Sequence, residues 1–369
     1  MPSSFTPIPL VKVAMPSRER LMPALEKVLY SGMVAEGESV YSFEAKFAQA
    51  FELANVVATS SGTGALHIAL LLAGVVAGDE VISTSMTAEP TNTTILQVGA
   101  VPVFADVDPS NGNVDPDSVE TRLSSRTRAI VVVHYAGYPA DMVRIREIAD
   151  RRGIAVIEDC AHALGARFAD RPIGTIADFS IFSLQSIKHM TTVDGGILAM
   201  RDASRMGEAR RLRWFGLTKG VPRTEVDIAR PGFKYNMNNV TATIGLAQLE
   251  GVHQLVDAHI DNGRFFDQAL RNIPGIEPAR VIARSQPSYW IYTLLADDSA
   301  AVERCLAGVG VAASKLHRPN HLHSVFAPYA EGHLMPGLET FYRRLVHIPC
   351  GWWLEEEGRE RIVDSLRRG

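Results

Sequence analysis

A large α/β domain with a mostly parallel sheet, followed by a smaller C-terminal α+β domain, is the architecture this sequence predicts. Between about residues 55 and 200, short β-branched runs alternate with segments of helical period, as strands joined by crossover helices do. Several of these runs are apolar throughout, as in strands covered on both faces. After Gly216 the alternation ends, and 369 residues are more than one domain of roughly 100–200 residues holds. The division is drawn at 1–245 and 246–369.

In chain order the strand candidates are 55–59, 80–84, 101–106, 129–134, 154–158, 178–184 and 197–200. Ahead of the fifth, residues 140–152 place Met142, Ile145, Ile148 and Ala149 on one helical face and stop at Gly153, a C-terminal signal. From Gly216 a polar stretch with a Gly220-Val221-Pro222 turn signal runs to Arg230. One apolar-periodic segment, 239 to about 260, then reads as a single helix bridging the two parts. Beyond it, 288–297, 300–307, 345–349 and 355–368 read as strand, helix, strand and helix, joined by loops rich in Pro, His and Gly. No repeat of about 20 to 50 residues and no low-complexity tract interrupts the chain.

Composition narrows the class. Apolar residues at 46% and charged residues at 21% exclude a disordered, collagen-like or coiled-coil chain. With 37 Lys and Arg against 41 Asp and Glu, the net charge of −4 offers no bulk attraction to nucleic acid or anionic membrane. Any bound anion must be held by a local site. Cys160, Cys305 and Cys350 are odd in number and far apart, which fits neither a disulfide framework nor paired zinc ligands. Residues 1–16 lack the basic start and apolar core of a signal peptide. The longest apolar stretch, 65–77, carries His67 and is shorter than the ~20 residues that span a bilayer. The expectation is a soluble cytoplasmic protein with no nucleic-acid, membrane or metal partner.

Three segments carry candidate chemistry. Thr59-Ser60-Ser61-Gly62-Thr63-Gly64-Ala65-Leu66 ends a strand, turns on small residues and opens a helix. Free N–H groups there, with hydroxyls and glycines that let the backbone approach, make a phosphate cradle. The run is neither a Walker loop nor the dinucleotide Gly-x-Gly-x-x-Gly, and in isolation a plain capped turn reads equally well. Val156-Ile157-Glu158-Asp159-Cys160-Ala161-His162 leads an apolar strand into two carboxylates at its C-terminal end, where open α/β sheets bind ligands. A helix cap is the plain alternative, and of the two carboxylates Asp159 is the better candidate to face a cofactor. Finally, Lys188 follows the strand ending Phe182-Ser183-Leu184, among hydroxyls and ahead of Asp194-Gly195-Gly196. A partly desolvated lysine loses proton affinity and becomes a nucleophile for carbonyls, although a single lysine is by default a surface one.

Together these supply a phosphate anchor, a pyridinium partner and a Schiff-base lysine, the parts a pyridoxal 5'-phosphate (PLP) enzyme needs. The run from Ser61 to Leu66, Glu158-Asp159-Cys160-Ala161-His162-Ala163-Leu164-Gly165, Phe182-Ser183 with Lys188, and Asp194-Gly195-Gly196 resemble the DegT/DnrJ/StrS family of nucleotide-sugar aminotransferases. The resemblance extends over essentially the whole chain, including Pro139-Ala140-Asp141-Met142 and Ile244-Gly245-Leu246-Ala247-Gln248-Leu249. It implies a fold type I enzyme similar to aspartate aminotransferase, and a homodimer with its cofactor near the subunit interface. It further implies that Lys188 forms the Schiff base and Asp159 holds the pyridinium nitrogen. By the same resemblance His162 contacts the ring or its oxygen, and Ser183 with Gly62 and Thr63 binds the phosphate. An Asp in contact with a protonated ring gains on the order of 4 kcal/mol at an effective dielectric near 20. The implied reaction moves an amino group from an amino acid, L-glutamate by family habit, to a nucleotide-linked keto-deoxysugar, for polysaccharide or a glycosylated metabolite.

The chain departs from the family pattern twice. Where many members carry Ser-Phe-Thr-aromatic, with the aromatic stacked on the cofactor, this one reads Ser85-Met86-Thr87-Ala88. Where many read Gly-Tyr-Asn-Tyr-Arg-Met, this one reads Gly232-Phe233-Lys234-Tyr235-Asn236-Met237, so the phosphate contact from the second subunit falls to Lys234 or Asn236. Two other functions remain open. One is a PLP-dependent sugar dehydratase of the same family, a branch with histidine for the lysine, which Lys188 argues against although His189 lies next to it. The other is a non-catalytic PLP-binding regulator.

Other residues read more plainly. His317, His321 and His323 suggest a metal cluster, but Pro319 breaks any helix aligning the first two, which leaves a loop group with substrate contact as the lesser reading. Arg205, Arg210, Arg211 and Arg213 read as a solvated helix face, and Trp352-Trp353 as small-domain packing.

Overall fold

The computed structural model describes residues 6–332 and 334–368. Residues 1–5 of the N-terminal segment read for a signal peptide, and Gly369, lie outside them. The first nine strands are β1 (Val56–Thr59), β2 (Glu80–Thr84), β3 (Val101–Ala105), β4 (Thr127–Val133), β5 (Ala155–Asp159), β6 (Arg167–Phe168), β7 (Arg171–Pro172), β8 (Phe179–Ser183) and β9 (Gly196–Met200). Seven of these form one sheet in the order β1-β9-β8-β5-β4-β2-β3. The pairs from β8 to β3 are parallel, while β9 is antiparallel to both its neighbours. All seven strand candidates of the sequence are in this sheet, within two residues at either end.

The apolar runs need cover on both faces, and side chains alternate between the faces along each strand. Val156 joins one core cluster with Ile130, Val132, Phe47 and Ile145. Ile157 joins another with Val131, Leu198 and the helix Gly62–Leu72. That helix is apolar around most of its circumference, and nine of its eleven residues are buried, as a helix between a sheet and further helices requires. Strands end together at one edge of the sheet, so Thr59, Asp159 and Ser183 terminate side by side with Gly196, which pairs with both Thr59 and Ser183.

Farther on, β10 (Ile276–Pro278), β12 (Tyr292–Ala296) and β13 (Leu345–Ile348) form a second, antiparallel sheet, and β11 (Ser285–Gln286) pairs with β6. The helices Ser299–Gly308 and Glu356–Arg368 pack together beside this sheet in a shared core that also takes in Tyr135 and Tyr138. Two expectations need correction. The bridging helix is two helices, Asn239–Leu249 and Val252–Ala269, broken at Glu250-Gly251, where the Gly251 backbone turns out of the helical region (φ −123°, ψ 9°) and heads the second helix. The strand expected from 288 starts only at Tyr292, because Tyr289 takes a left-handed φ of 45° that ends an extended run. Among the described residues no helix is long and apolar enough to cross a membrane.

Candidate active site

A cleft of about 350 Å³ opens at the C-terminal edge of the large sheet, lined by Gly62, Thr63, Asp159, His162, Ser183 and Lys188 among others. Six of the eight residues singled out from the sequence therefore meet in one place. They come from four segments, and local chemistry fixes each. Ser61 caps the helix Gly62–Leu72 by accepting the Gly64 N–H on its Oγ at 3.0 Å. The amides of Gly62 and Thr63 have no partner among the described residues and open on the cleft, the arrangement that binds an anion at a helix N-terminus. Opposite them Gly196 is obligatory: a Cβ there would run into the Ser61 carbonyl group and the Gly62 nitrogen.

Asp159 is 5% exposed and holds few partners for a buried carboxylate. Its Oδ2 accepts the Thr91 hydroxyl at 2.8 Å and its Oδ1 accepts the Ala161 N–H at 3.1 Å. Since the Thr91 hydroxyl is donated, the 2.9 Å contact with Thr87 makes Thr87 the donor to Thr91. Burial pushes the Asp159 carboxyl up, against the pull of Thr91, Ala161 and the amine of Lys188. Such a group gains from a cationic N–H partner. Neighbouring Glu158 is turned to the other face. It accepts N–H groups of Gly174, Ile176 and Ala177 at 2.7–3.1 Å and sits 3.1 Å from His134 Nε2. His134 Nδ1 accepts the Ala140 N–H, so Nε2 carries the proton toward Glu158. His134, Glu158 and Cys160 lie close enough to suggest a metal site, but these hydrogen bonds already occupy the His and Glu.

Lys188 stands on a loop that folds back on the end of β8, with Leu184 N–H on the Gly195 carbonyl and Lys188 N–H on the Gln185 carbonyl. Its Nζ lies 3.9 Å from the centre of the Trp290 ring. The half-buried side chain lines the cleft, and desolvation lowers its amine from 10.5 to about 7, with Asp159 opposing. The His162 ring stacks on Trp290 at 4.1 Å, and His317 lies alongside it at 5.6 Å. Its Nδ1 accepts the Ala136 N–H at 3.3 Å, leaving the proton on Nε2. Burial holds it well below the usual histidine range, helped by Lys188 and His317. His189, beside the lysine, is turned away to the Ser288 carbonyl at 2.9 Å and against His259.

Lys234 and Asn236 do not line this cleft. Lys234 Nζ donates to Asn236 Oδ1 at 2.6 Å and lies over Trp214, while Asn236 bridges to Thr59 at the foot of the cradle. Ala88 lines the cleft where an aromatic was missed. The three loop histidines diverge. His317 faces His162, His321 Nδ1 is 2.8 Å from Ser85 Oγ, and His323 is turned to Glu89. Arg213 corrects the solvated reading of the basic helix. It is 1% exposed and bound to Glu44, Glu36 and the Ala58 carbonyl, because β1 and the helix Glu38–Ala50 enclose it. Trp353 donates to the Pro9 carbonyl, tying down the N-terminal arm. Sequence reasoning missed Thr91, which sits in an unremarkable polar helix. It also missed Trp290, an indole in an apolar run, and no local signal distinguishes it from core.

These residues fit PLP: a cradle of free amides for its phosphate, a buried carboxylate with spare acceptor capacity for its ring nitrogen, and a desolvated amine for its aldehyde. The comparisons agree. Residues 16–367 match the model of the DegT/DnrJ/EryC1/StrS aminotransferase family. The spore coat polysaccharide biosynthesis protein SpsC of Bacillus subtilis (strain 168) is 29% identical over 358 residues, 92% of each chain. The crystal structure of AtS13 from Actinomadura melliaura matches with a TM-score of 0.95 at 36% identity, over 99% of this chain and 100% of that one. The sugar aminotransferase CalS13 from Micromonospora echinospora matches with a TM-score of 0.94 at 37% identity, over 98% and 100%. The chain belongs to the DegT/DnrJ/EryC1/StrS aminotransferase family, as a PLP-dependent sugar aminotransferase of fold type I.

Proposed function

We propose that the enzyme transfers an amino group from an amino acid, L-glutamate in the first instance, to the keto group of a nucleotide-linked deoxysugar, with Lys188 as its catalytic amine. The observation that carries this reading is the meeting of Lys188, Asp159 and the Gly62-Thr63 cradle in one cleft. Lys188 would carry the cofactor, Asp159 its ring nitrogen, and Gly62, Thr63 and Ser183 its phosphate, with His162 against the ring or its oxygen. PLP bound there supplies an electron sink and an exchangeable carbonyl. Lys188 Nζ, lowered to about 7 by burial, is poised to take a proton from the donor's Cα in one half-reaction and return one to the sugar carbon in the other. Asp159 stays ionised against a cationic ring nitrogen. Two half-reactions in one site give ping-pong kinetics.

A homodimer in which Lys234 or Asn236 reaches the partner's phosphate belongs to the same reading. In support, both stand outside the cleft of their own chain, and Phe215 beside them is 40% exposed. So does the division into a cofactor-holding part, 1–245, and a smaller part, 246–369, that supplies Trp290 and His317. Borohydride reduction of the PLP-loaded protein, followed by peptide mapping, tests the core of the proposal: the label should fall on Lys188, and a label on another lysine overturns it. A cofactor spectrum that responds to glutamate and then to a keto sugar separates the enzyme from a PLP-binding regulator. The dehydratase reading is disfavoured by Lys188 in the cleft and by His189 turned away from it.

A further inference from the structure

We propose that Trp290 is the positioning residue that sets where Lys188 Nζ and the His162 ring lie in the cleft. The inference rests on the reading of Lys188 as the cofactor-carrying amine. Trp290 is 1% exposed and acts on both groups at once. Its Nε1–H donates to the carbonyl of Ile187, the residue before the lysine, at 2.8 Å. Its ring face lies 3.9 Å from Nζ, and the ring is within 18° of parallel to the imidazole of His162 at 4.1 Å. His317 lies alongside both rings, 5.6 Å from His162 and 6.4 Å from Trp290.

The backbone that presents Trp290 is built for the purpose. Tyr289 is held in a left-handed conformation, its ring against Gly263 and its hydroxyl on Asp267 at 2.6 Å. On the other side Gly137 has no Cβ because one would stand 2.7 Å from the Trp290 nitrogen and 2.9 Å from the His162 carbonyl oxygen. A residue that only filled space would need neither a strained neighbour nor a bond to the peptide that carries the lysine.

The ring has a chemical consequence besides the geometric one. An ammonium over an indole face is stabilised, most of all where water is excluded. The other charged or titratable groups near Nζ are Asp159 from β5, which favours the charged amine, and His162 and His317, with His189 turned away to Ser288; each histidine is opposed in charging by it. Burial still dominates, and the amine is lowered to about 7. Removing the ring face while keeping an apolar wall beside Nζ therefore lowers it further.

The full chain, freed of cofactor, is treated with trinitrobenzenesulfonate across pH, and modification of Lys188 is read by peptide mass. In Trp290→Leu, which stays apolar without a ring face, the midpoint should fall by about half a unit to one unit. Trp290→Phe keeps a ring face and should keep most of the wild-type midpoint. It loses the indole N–H, however, so the loaded enzyme should show a kcat lower by about tenfold with KM for the amino donor nearly unchanged. A wild-type midpoint in a folded Trp290→Leu protein overturns the proposal. Where that variant does not fold, wild-type kcat in Trp290→Phe overturns it. Failure of the Lys188 assignment itself appears separately, in borohydride labelling of the wild type.

Discussion

Glu158 and Asp159 are consecutive carboxylates on one strand, yet they sit in opposite halves of the molecule's chemistry. Glu158 projects to the face of the sheet covered by the Val156 cluster, where three backbone N–H groups and His134 saturate it. Burial pushes its carboxyl up, but those hydrogen bonds overcome the effect and leave it below the ordinary range. Asp159 projects to the cleft with two donors, and there burial prevails and the carboxyl is raised. One charge is fully answered by the fold. The other is left short of partners, which is a cost to the empty protein and the basis of an electrostatic hold on a cation.

The largest test of this division is Lys188→Ala. It empties the cleft of its amine without touching the Glu158 side, so turnover should fall by about 10³-fold or more while the melting curve stays close to wild type. A large loss of fold stability would show that the two faces are not separable.

Next come the carboxylates themselves. Glu158→Gln leaves one acceptor oxygen where two served, so amides of Gly174 or of Ile176 and Ala177 lose their partner. Stability in urea should drop by about 3 kcal/mol. Asp159→Asn should do the reverse. The carboxyl is raised in the folded state, so its charge at neutral pH opposes folding, and removing it should leave the cofactor-free protein as stable or slightly more so. Turnover should nevertheless fall by about 10²-fold, since a neutral amide cannot hold a ring nitrogen in its cationic form. Equal destabilisation by both substitutions would show that the fold answers the two carboxylates alike.

The two sides also differ in how they respond to pH. His317 and His259 are lowered from 6.5 to about 4, mainly by burial, and His162 lies well below its ordinary range. A lowered histidine contributes stability that is present above 6.5 and lost as pH falls toward the folded value. Urea midpoints should therefore decline from pH 6.5 to about 4, with net proton uptake on unfolding. Protonation of Asp159 works in the opposite direction, so the Asn variant should show a steeper decline.

Much of this was legible in the sequence because strand period and apolar runs are local. The seven sheet strands follow from them, and so does the placing of Asp159 at a strand end where such sheets bind ligands; that Glu158 turns to the opposite face is what period 2 requires of its neighbour. The break at Glu250-Gly251 was less legible, since apolar periodicity continues across it, and so was the left-handed Tyr289, which only its packing on Gly263 and Asp267 enforces. The burial of Arg213 and the position of Trp290 depend on partners more than a hundred residues away, beyond any reading of spacing.

The smallest effect concerns Thr91, the one side chain among the described residues that hydrogen-bonds Asp159. Thr91→Val keeps the shape of the buried hydroxyl but removes its 2.8 Å donation to Oδ2, and it leaves Thr87 without its acceptor. The carboxylate should then rise further, weakening its ionised form. A hydrogen bond to a charged group contributes about 1.5–3 kcal/mol, but a bound cationic ring nitrogen would take up part of that loss, so turnover should fall by roughly tenfold. The acid limb of the pH–rate profile should move to higher pH, because more acidic conditions are no longer needed to protonate the carboxyl. An unchanged acid limb would mean that Asp159 is held by the cofactor alone, and that the fold's sparing provision of donors on this side of β5 has no role in tuning it.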